Sequence, residues 1–203
     1  MNDPPYRIVT ERLIVRCWEP RDAPLLKAAI DASLDHLRPW MPWAADEPQT
    51  LEEKVELLRG FRGRFDLRED FVYGIFDAGE AEVVGGTGLH KRVGDAAFEI
   101  GYWIRASRAG EGLATEAAAA LTRVAFDVCR VDRVEIRTDP ANERSRRIPR
   151  KLGYMEEATL RRRLHHPAPR DVVVYAVFGD DFASTPAAAA AVEAYDIAGV
   201  RVL

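Results

Sequence analysis

Residues 97–118 read Ala97-Phe98-Glu99-Ile100-Gly101-Tyr102-Trp103-Ile104, then Arg105-Ala106-Ser107-Arg108-Ala109-Gly110-Glu111-Gly112, then Leu113-Ala114-Thr115-Glu116-Ala117-Ala118. The first eight are aromatic and β-branched enough to form a buried strand. From Gly112 onward the composition is that of an Ala-rich helix. A basic, glycine-bearing turn lies between. Strand, glycine turn and helix together aim free backbone N–H groups and the positive end of a helix dipole at an anion. The stretch therefore reads as a cradle for pyrophosphate.

Two familiar phosphate loops fit it poorly. A Walker loop requires Lys and Ser or Thr after its second glycine, and no lysine follows Gly110 or Gly112. A dinucleotide fingerprint would need a small third residue where Thr115 stands, in a strand that opens a βαβ unit rather than lying mid-chain.

On either side the chain punctuates itself clearly. Arg12-Leu13-Ile14-Val15-Arg16 is a strand, and a helix follows Pro20, with Asp22 as its expected cap and Leu25, Leu26, Ala29 and Ile30 on its apolar face. Leu37-Arg38-Pro39-Trp40-Met41-Pro42-Trp43 is broken by two prolines. Thr50-Leu51-Glu52-Glu53 is a capping box opening a second helix. Strands are expected at 71–76 and 82–89, joined by a hairpin turn. Leu113, Ala117, Leu121, Val124 and Val128 form one stripe of the helix after the cradle. A strand at 134–138, a short helix stopped by Gly153, and strands at 154–164 and 172–178 complete the order β-α-α-β-β-β-α-β-α-β-β. His165-His166-Pro167-Ala168-Pro169 is expected to bend the chain between the last two as a loop, its histidines lacking the spacing of metal ligands and either plain loop residues or part of the substrate mouth. The Ala-rich residues 181–203 are set apart as a tail, with a helix expected from Pro186 to near Tyr195.

The 203 residues suffice for one domain, and 47% hydrophobic with 31% charged residues is ordinary for a globular chain. A net charge of −4 argues against general DNA affinity. No apolar run reaches membrane-spanning length, no signal peptide opens the chain, and Cys17 and Cys129 have no metal-ligand spacing. A cytoplasmic protein without a metal site is expected, with homodimer formation left open.

Gly112-Leu113-Ala114 fills the second half of the [QR]-x-x-G-x-[GA] coenzyme A loop of the GNAT acyl-CoA-dependent N-acyltransferases, with Ala109 where Gln or Arg is usual. Downstream, Asn142-Glu143-Arg144-Ser145-Arg146-Arg147-Ile148-Pro149-Arg150-Lys151-Leu152-Gly153-Tyr154 resembles the family's N-x-x-[SA]-x-x-[VIL]-x-x-K-x-G-[FY] segment at six separated positions. With Thr10-Glu11-Arg12-Leu13 and Leu37-Arg38-Pro39-Trp40, residues 1–180 resemble the RimJ/RimL branch, which is named for enzymes that acetylate ribosomal-protein N-termini and also contains many enzymes of unknown substrate. The resemblance implies a GNAT fold: a mixed α/β sheet of six to seven strands, splayed in the middle, with helices on both faces. It implies acetyl-CoA as cosubstrate and an amine acceptor, either a ribosomal or other protein N-terminus or a small-molecule amine. A non-catalytic acyl-CoA-binding module is the third reading.

The same resemblance assigns the site. Gly110, Glu111, Gly112, Leu113, Ala114 and Thr115 would hold the pyrophosphate, with Arg105 and Arg108 nearby, and Trp103 and Ile104 would present backbone to the thioester. Asn142 would bond pantetheine, while Arg150 and Lys151 would meet the 3′-phosphate. Position 149, a proton-donating tyrosine in many branches, is Pro149 here. Ser145 aligns with the serine given that role in RimL-like enzymes and by that resemblance would protonate the departing thiolate; its other reading is a small helix residue that allows close backbone approach. Glu99 reads as the base that accepts the amine's proton, or as a strand glutamate paired with an arginine. His90 is a second candidate by its ordinary titration range. Trp40, Trp43, His90 and Tyr102 are expected to line the acceptor site, although either tryptophan could equally pack into the core.

Overall fold

The computed structural model describes residues 2–164 and 168–203. The expected bend at His165-His166-Pro167 lies outside the described residues. In chain order the elements are β1 (Arg7–Val9), β2 (Leu13–Cys17), α1 (Ala23–Asp31), α2 (Leu34–Leu37), α3 (Leu51–Asp66), β3 (Phe71–Asp77), β4 (Val83–His90), β5 (Ala97–Ile104) and α4 (Leu113–Asp127). They continue with β6 (Arg133–Thr138), α5 (Glu143–Lys151), β7 (Met155–Leu164), β8 (Arg170–Phe178), α6 (Gly179–Phe182) and β9 (Glu193–Tyr195). The strands form one sheet in the order β7-β8-β6-β5-β4-β3-β2-β1-β9. Its pairings are antiparallel except β5–β6.

Alternation along the strands feeds two cores. Leu13, Val15, Phe98 and Ile100 face α4, whose Leu113, Ala117, Leu121 and Val124 are buried. Ile14 and Phe76 face α1 and α3, packing with Leu26, Ile30 and Leu58. Neighbouring residues on one strand thus serve opposite layers, as the period of two requires.

The sheet opens in the middle. β4 and β5 pair from Gly85↔Ile104 to His90↔Glu99, whereas β5 and β6 pair only at Ala97↔Arg133, Phe98↔Val134 and Glu99↔Glu135. Beyond Glu99 the β6-facing edge of β5 has lost its partner, and β6 continues against β8 alone. Unpaired strand backbone must find another partner. This edge is where an extended ligand can be added.

Three expectations are revised. The sheet has nine strands rather than six or seven, because the short β1 and β9 extend it beyond β2. The alanine-rich tail is not a helix. Pro186–Ala189 makes a 3-10 turn, and Glu193–Tyr195 pairs with β1. Ala187 and Ala194 are fully buried, so tertiary burial overrides the helix propensity of alanine. Asp22 does not cap α1 with its side chain; its carboxylate instead accepts from both Arg16 terminal nitrogens at 2.7 and 2.9 Å. Among the described residues, no helix is long and apolar enough to cross a membrane.

Candidate active site

The turn after β5 has the backbone that an anion cradle needs. Gly110 and Gly112 sit at φ +92° and +84°, a region other residues enter only at a cost, and Gly112 directly precedes α4. Helix geometry leaves the N–H groups of Leu113, Ala114 and Thr115 without intrahelical acceptors. The turn is braced from the other end of the chain. Thr10 Oγ1 donates to Glu116 at 2.6 Å, Arg12 reaches the same carboxylate at 2.6 and 2.7 Å, and Arg12 Nη1 donates to the Glu111 carbonyl at 3.0 Å. The Thr-Glu-Arg motif at the start of the chain therefore acts on the cradle itself. Its spacing in the sequence gives no hint of this.

The expected arginines are differently employed. Arg105 and Arg108 both bind Glu82, at 2.5 and 2.9 Å, and Arg108 also binds Glu111 at 2.9 Å. They fasten the turn to the β3–β4 hairpin, their charge balanced within the protein. Arg150 binds Glu156 at 3.1 Å, and Lys151 is exposed on α5.

Along the open edge of β5, backbone direction is fixed by one bond. Arg105 N–H donates to the Val84 carbonyl at 2.9 Å. Successive strand residues present their polar groups to opposite sides, so Trp103 faces β4, while Tyr102 and Ile104 face the gap. Of the two residues expected to present backbone to the thioester, Ile104 turns its polar groups to the gap and Trp103 turns its own to β4. The Trp103 ring instead meets Trp43 edge-to-face at 5.9 Å.

Across the gap stands the first turn of α5. Asn142 Oδ1 accepts from Ser145 N–H at 3.1 Å, so the side chain expected to hold pantetheine caps the helix with its oxygen. The Tyr102 hydroxyl lies 3.2 Å from both the carbonyl and the Oγ of Ser145. On the opposite face of β5, Glu99 and His90 are direct cross-strand partners. Both Glu99 oxygens are taken by Arg92, at 2.5 and 3.0 Å, with Arg137 at 3.7 Å. The Arg92 guanidinium is held above its ordinary value chiefly by the Glu99 hydrogen bond. His90 Nδ1 is bonded to Asp70 at 2.9 Å. A Cβ added at Gly88 would stand 2.7 Å from His90 Nε2, and one at Gly101 3.5 Å. These two glycines therefore leave room for the ring over β5. Asp70, which orients it, had no signal in the sequence.

One cavity of about 890 Å³ joins these features. It runs from Ser145, Asn142 and Tyr102, past Gly101, His90 and Glu99, to a mouth walled by Trp40, Met41, Pro42 and Trp43. Trp43 is 37% exposed and Trp40 lies under Arg170 at 6.0 Å, so both serve the rim rather than the core. Cys129 is fully buried, its thiol pushed up to about 12 mainly by burial, and Cys17 likewise. Neither is a nucleophile here. Among the described residues, no group of three His, Cys, Asp or Glu side chains is placed to hold a metal ion.

A sheet opened beside a glycine turn that leads into a helix, with His90 and Glu99 on the other face of β5, is the architecture of an acyl-CoA-dependent acyltransferase. The model of the acetyltransferase (GNAT) domain family matches residues 12–155, and the chain belongs to that family. It is 30% identical over 159 residues to the [ribosomal protein uS5]-alanine N-acetyltransferase of Escherichia coli (strain K12), covering 77% of this chain and 81% of the relative. Its fold is similar to that of Mycobacterium smegmatis RimJ in complex with CoA-disulfide, at a TM-score of 0.80 and 26% identity over 91% of this chain and 94% of that one. The microcin C7 self-immunity acetyltransferase MccE, solved with acetyl-CoA and AMP, shares the fold at a TM-score of 0.76 and 17% identity, over 83% and 93% of the two chains.

Proposed function

We propose that the protein moves an acetyl group from acetyl-CoA to the α-amine of a protein or peptide N-terminus, by direct attack of the amine in a ternary complex. The observation that carries this reading is the single cavity connecting the gap beside Ser145 with the apolar mouth at Trp40 and Trp43. Two reactants entering from opposite ends would meet at Gly101, and holding them together supplies most of the acceleration such a transfer needs.

Each residue then has a task. The amides from Gly110 to Thr115 hold the pyrophosphate. The Tyr102 and Ile104 backbone groups bond pantetheine, and the Ile104 N–H stabilises the oxyanion of the tetrahedral intermediate. His90, with Nδ1 fixed by Asp70, offers Nε2 to the ammonium proton directly or through a water. Glu99, forked by Arg92, is the weaker choice of base, since both its oxygens already accept hydrogen bonds. When the carbon–sulfur bond breaks, Ser145 Oγ–H gives its proton to the thiolate and is replenished from solvent.

The lining favours a peptide over a polycationic small molecule. Five acidic residues line the cavity among those described: Glu47, Asp70, Glu99 and Asp139 are paired, with Lys54, His90, Arg92 and Arg170 respectively, and Asp46 lies exposed at the rim. The Escherichia coli relative, named for a ribosomal-protein alanine, points to a similar acceptor, and so to action in the cytoplasm. Mass spectrometry of peptides incubated with acetyl-CoA tests this. Acetylation of free α-amines, absent from peptides blocked at that position, is expected. Acetylation of a polyamine or aminoglycoside with no peptide product would overturn the acceptor assignment.

A further inference from the structure

Pro149 leaves a gap in α5 that can be located to one atom. In an α-helix the N–H of residue 149 would bond the carbonyl of Ser145, and proline has none. A carbonyl left open this way must find another donor. The donor is the Tyr102 hydroxyl, reaching across from β5 to the Ser145 carbonyl at 3.2 Å and lying 3.2 Å from Ser145 Oγ. The Ser145 N–H, at the helix start, is taken by Asn142. Every polar group of Ser145 is thus held by a side chain.

We propose that Tyr102 is a positioning residue for Ser145, its hydroxyl replacing the helix bond that Pro149 removes and fixing Ser145 Oγ at the edge of the gap. The phenol has a single proton. Given to the carbonyl, it leaves the phenol oxygen as acceptor for Ser145 Oγ–H, so the serine hydroxyl is held in one rotamer until a better acceptor, the departing sulfur, arrives. Burial, its largest influence, keeps the phenol protonated well beyond its ordinary range, against the opposing effect of the Ser145 bond. The inference rests on the proposed use of Ser145 as proton source to the thiolate.

Two cycles test it. In kinetics, Tyr102→Phe is expected to lower kcat roughly tenfold or more while the KM for acetyl-CoA stays within about twofold. Added to Ser145→Ala, the same change is expected to cost nothing further. An unchanged kcat in Tyr102→Phe, or an equal loss with and without Ser145, would overturn the proposal. In thermal unfolding, Tyr102→Phe is expected to lower Tm, and to lower it less when Pro149→Ala has restored the helix N–H. Equal drops in both backgrounds would show that Tyr102 does not substitute for the missing bond. Should the wild-type protein acetylate no amine, the transferase reading falls, and the unfolding cycle still decides the link between Tyr102 and Pro149.

Discussion

The roles proposed for Ser145 and His90 come down to single atoms with identifiable neighbours. Ser145→Ala is expected to reduce kcat by roughly a hundredfold, the lower end for loss of a general acid, with coenzyme A affinity unchanged by calorimetry. His90→Gln is expected to lower kcat/KM for the amine by a similar factor, and Asp70→Asn by less. If Glu99→Gln proves more damaging to turnover than His90→Gln at equal stability, the base is Glu99 and the assignment of His90 is wrong. Ser145 was legible as a match to a motif and Pro149 as a departure from the family's tyrosine. Asp70 was not, because it lies twenty residues from His90 and meets it only through the β3–β4 pairing.

Among the elements, the turn between β5 and α4 depends most on distant residues. Glycine at 112 accommodates a φ of +84°, so Gly112→Ala is expected to strain the turn by about 1 kcal/mol and to weaken coenzyme A binding. Arg12→Ala removes the brace on Glu116 and the Glu111 carbonyl, and titration calorimetry is expected to show roughly tenfold weaker binding. An unchanged affinity would mean the turn holds its shape without the N-terminal motif. The left-handed backbone of this turn was readable from glycine spacing because only glycine enters that region without cost. The fate of Arg105 and Arg108 was not, since nothing local to the turn announces Glu82. At the β3–β4 turn, burial would raise the Glu80 carboxyl, but Arg16 and Arg7, each at 2.5 Å, outweigh it and hold it below the usual range. A depressed carboxyl stabilises above its unfolded value and loses that contribution as pH falls through the folded one. Glu80→Gln is expected to cost roughly 1 kcal/mol at neutral pH and little in acid, read by denaturant unfolding.

For the whole molecule, the order of strands and helices followed from period and punctuation, and the opening between β5 and β6 from the family resemblance. The two outer strands did not. Arg7–Val9 is too short to declare itself, and the alanines after Pro186 carry a helical composition that burial against the sheet overrules. Removal of residues 186–203 is expected to bare β1 and the buried Ala187 and Ala194, lowering Tm and promoting aggregation. The central claim is that the opened sheet and its glycine turn grip the diphosphate of a thioester carrier. Titration of the protein with coenzyme A in a calorimeter tests it most directly: one molecule bound per chain, with weaker binding in Gly112→Ala, is the predicted result, and no binding heat at several temperatures would contradict it.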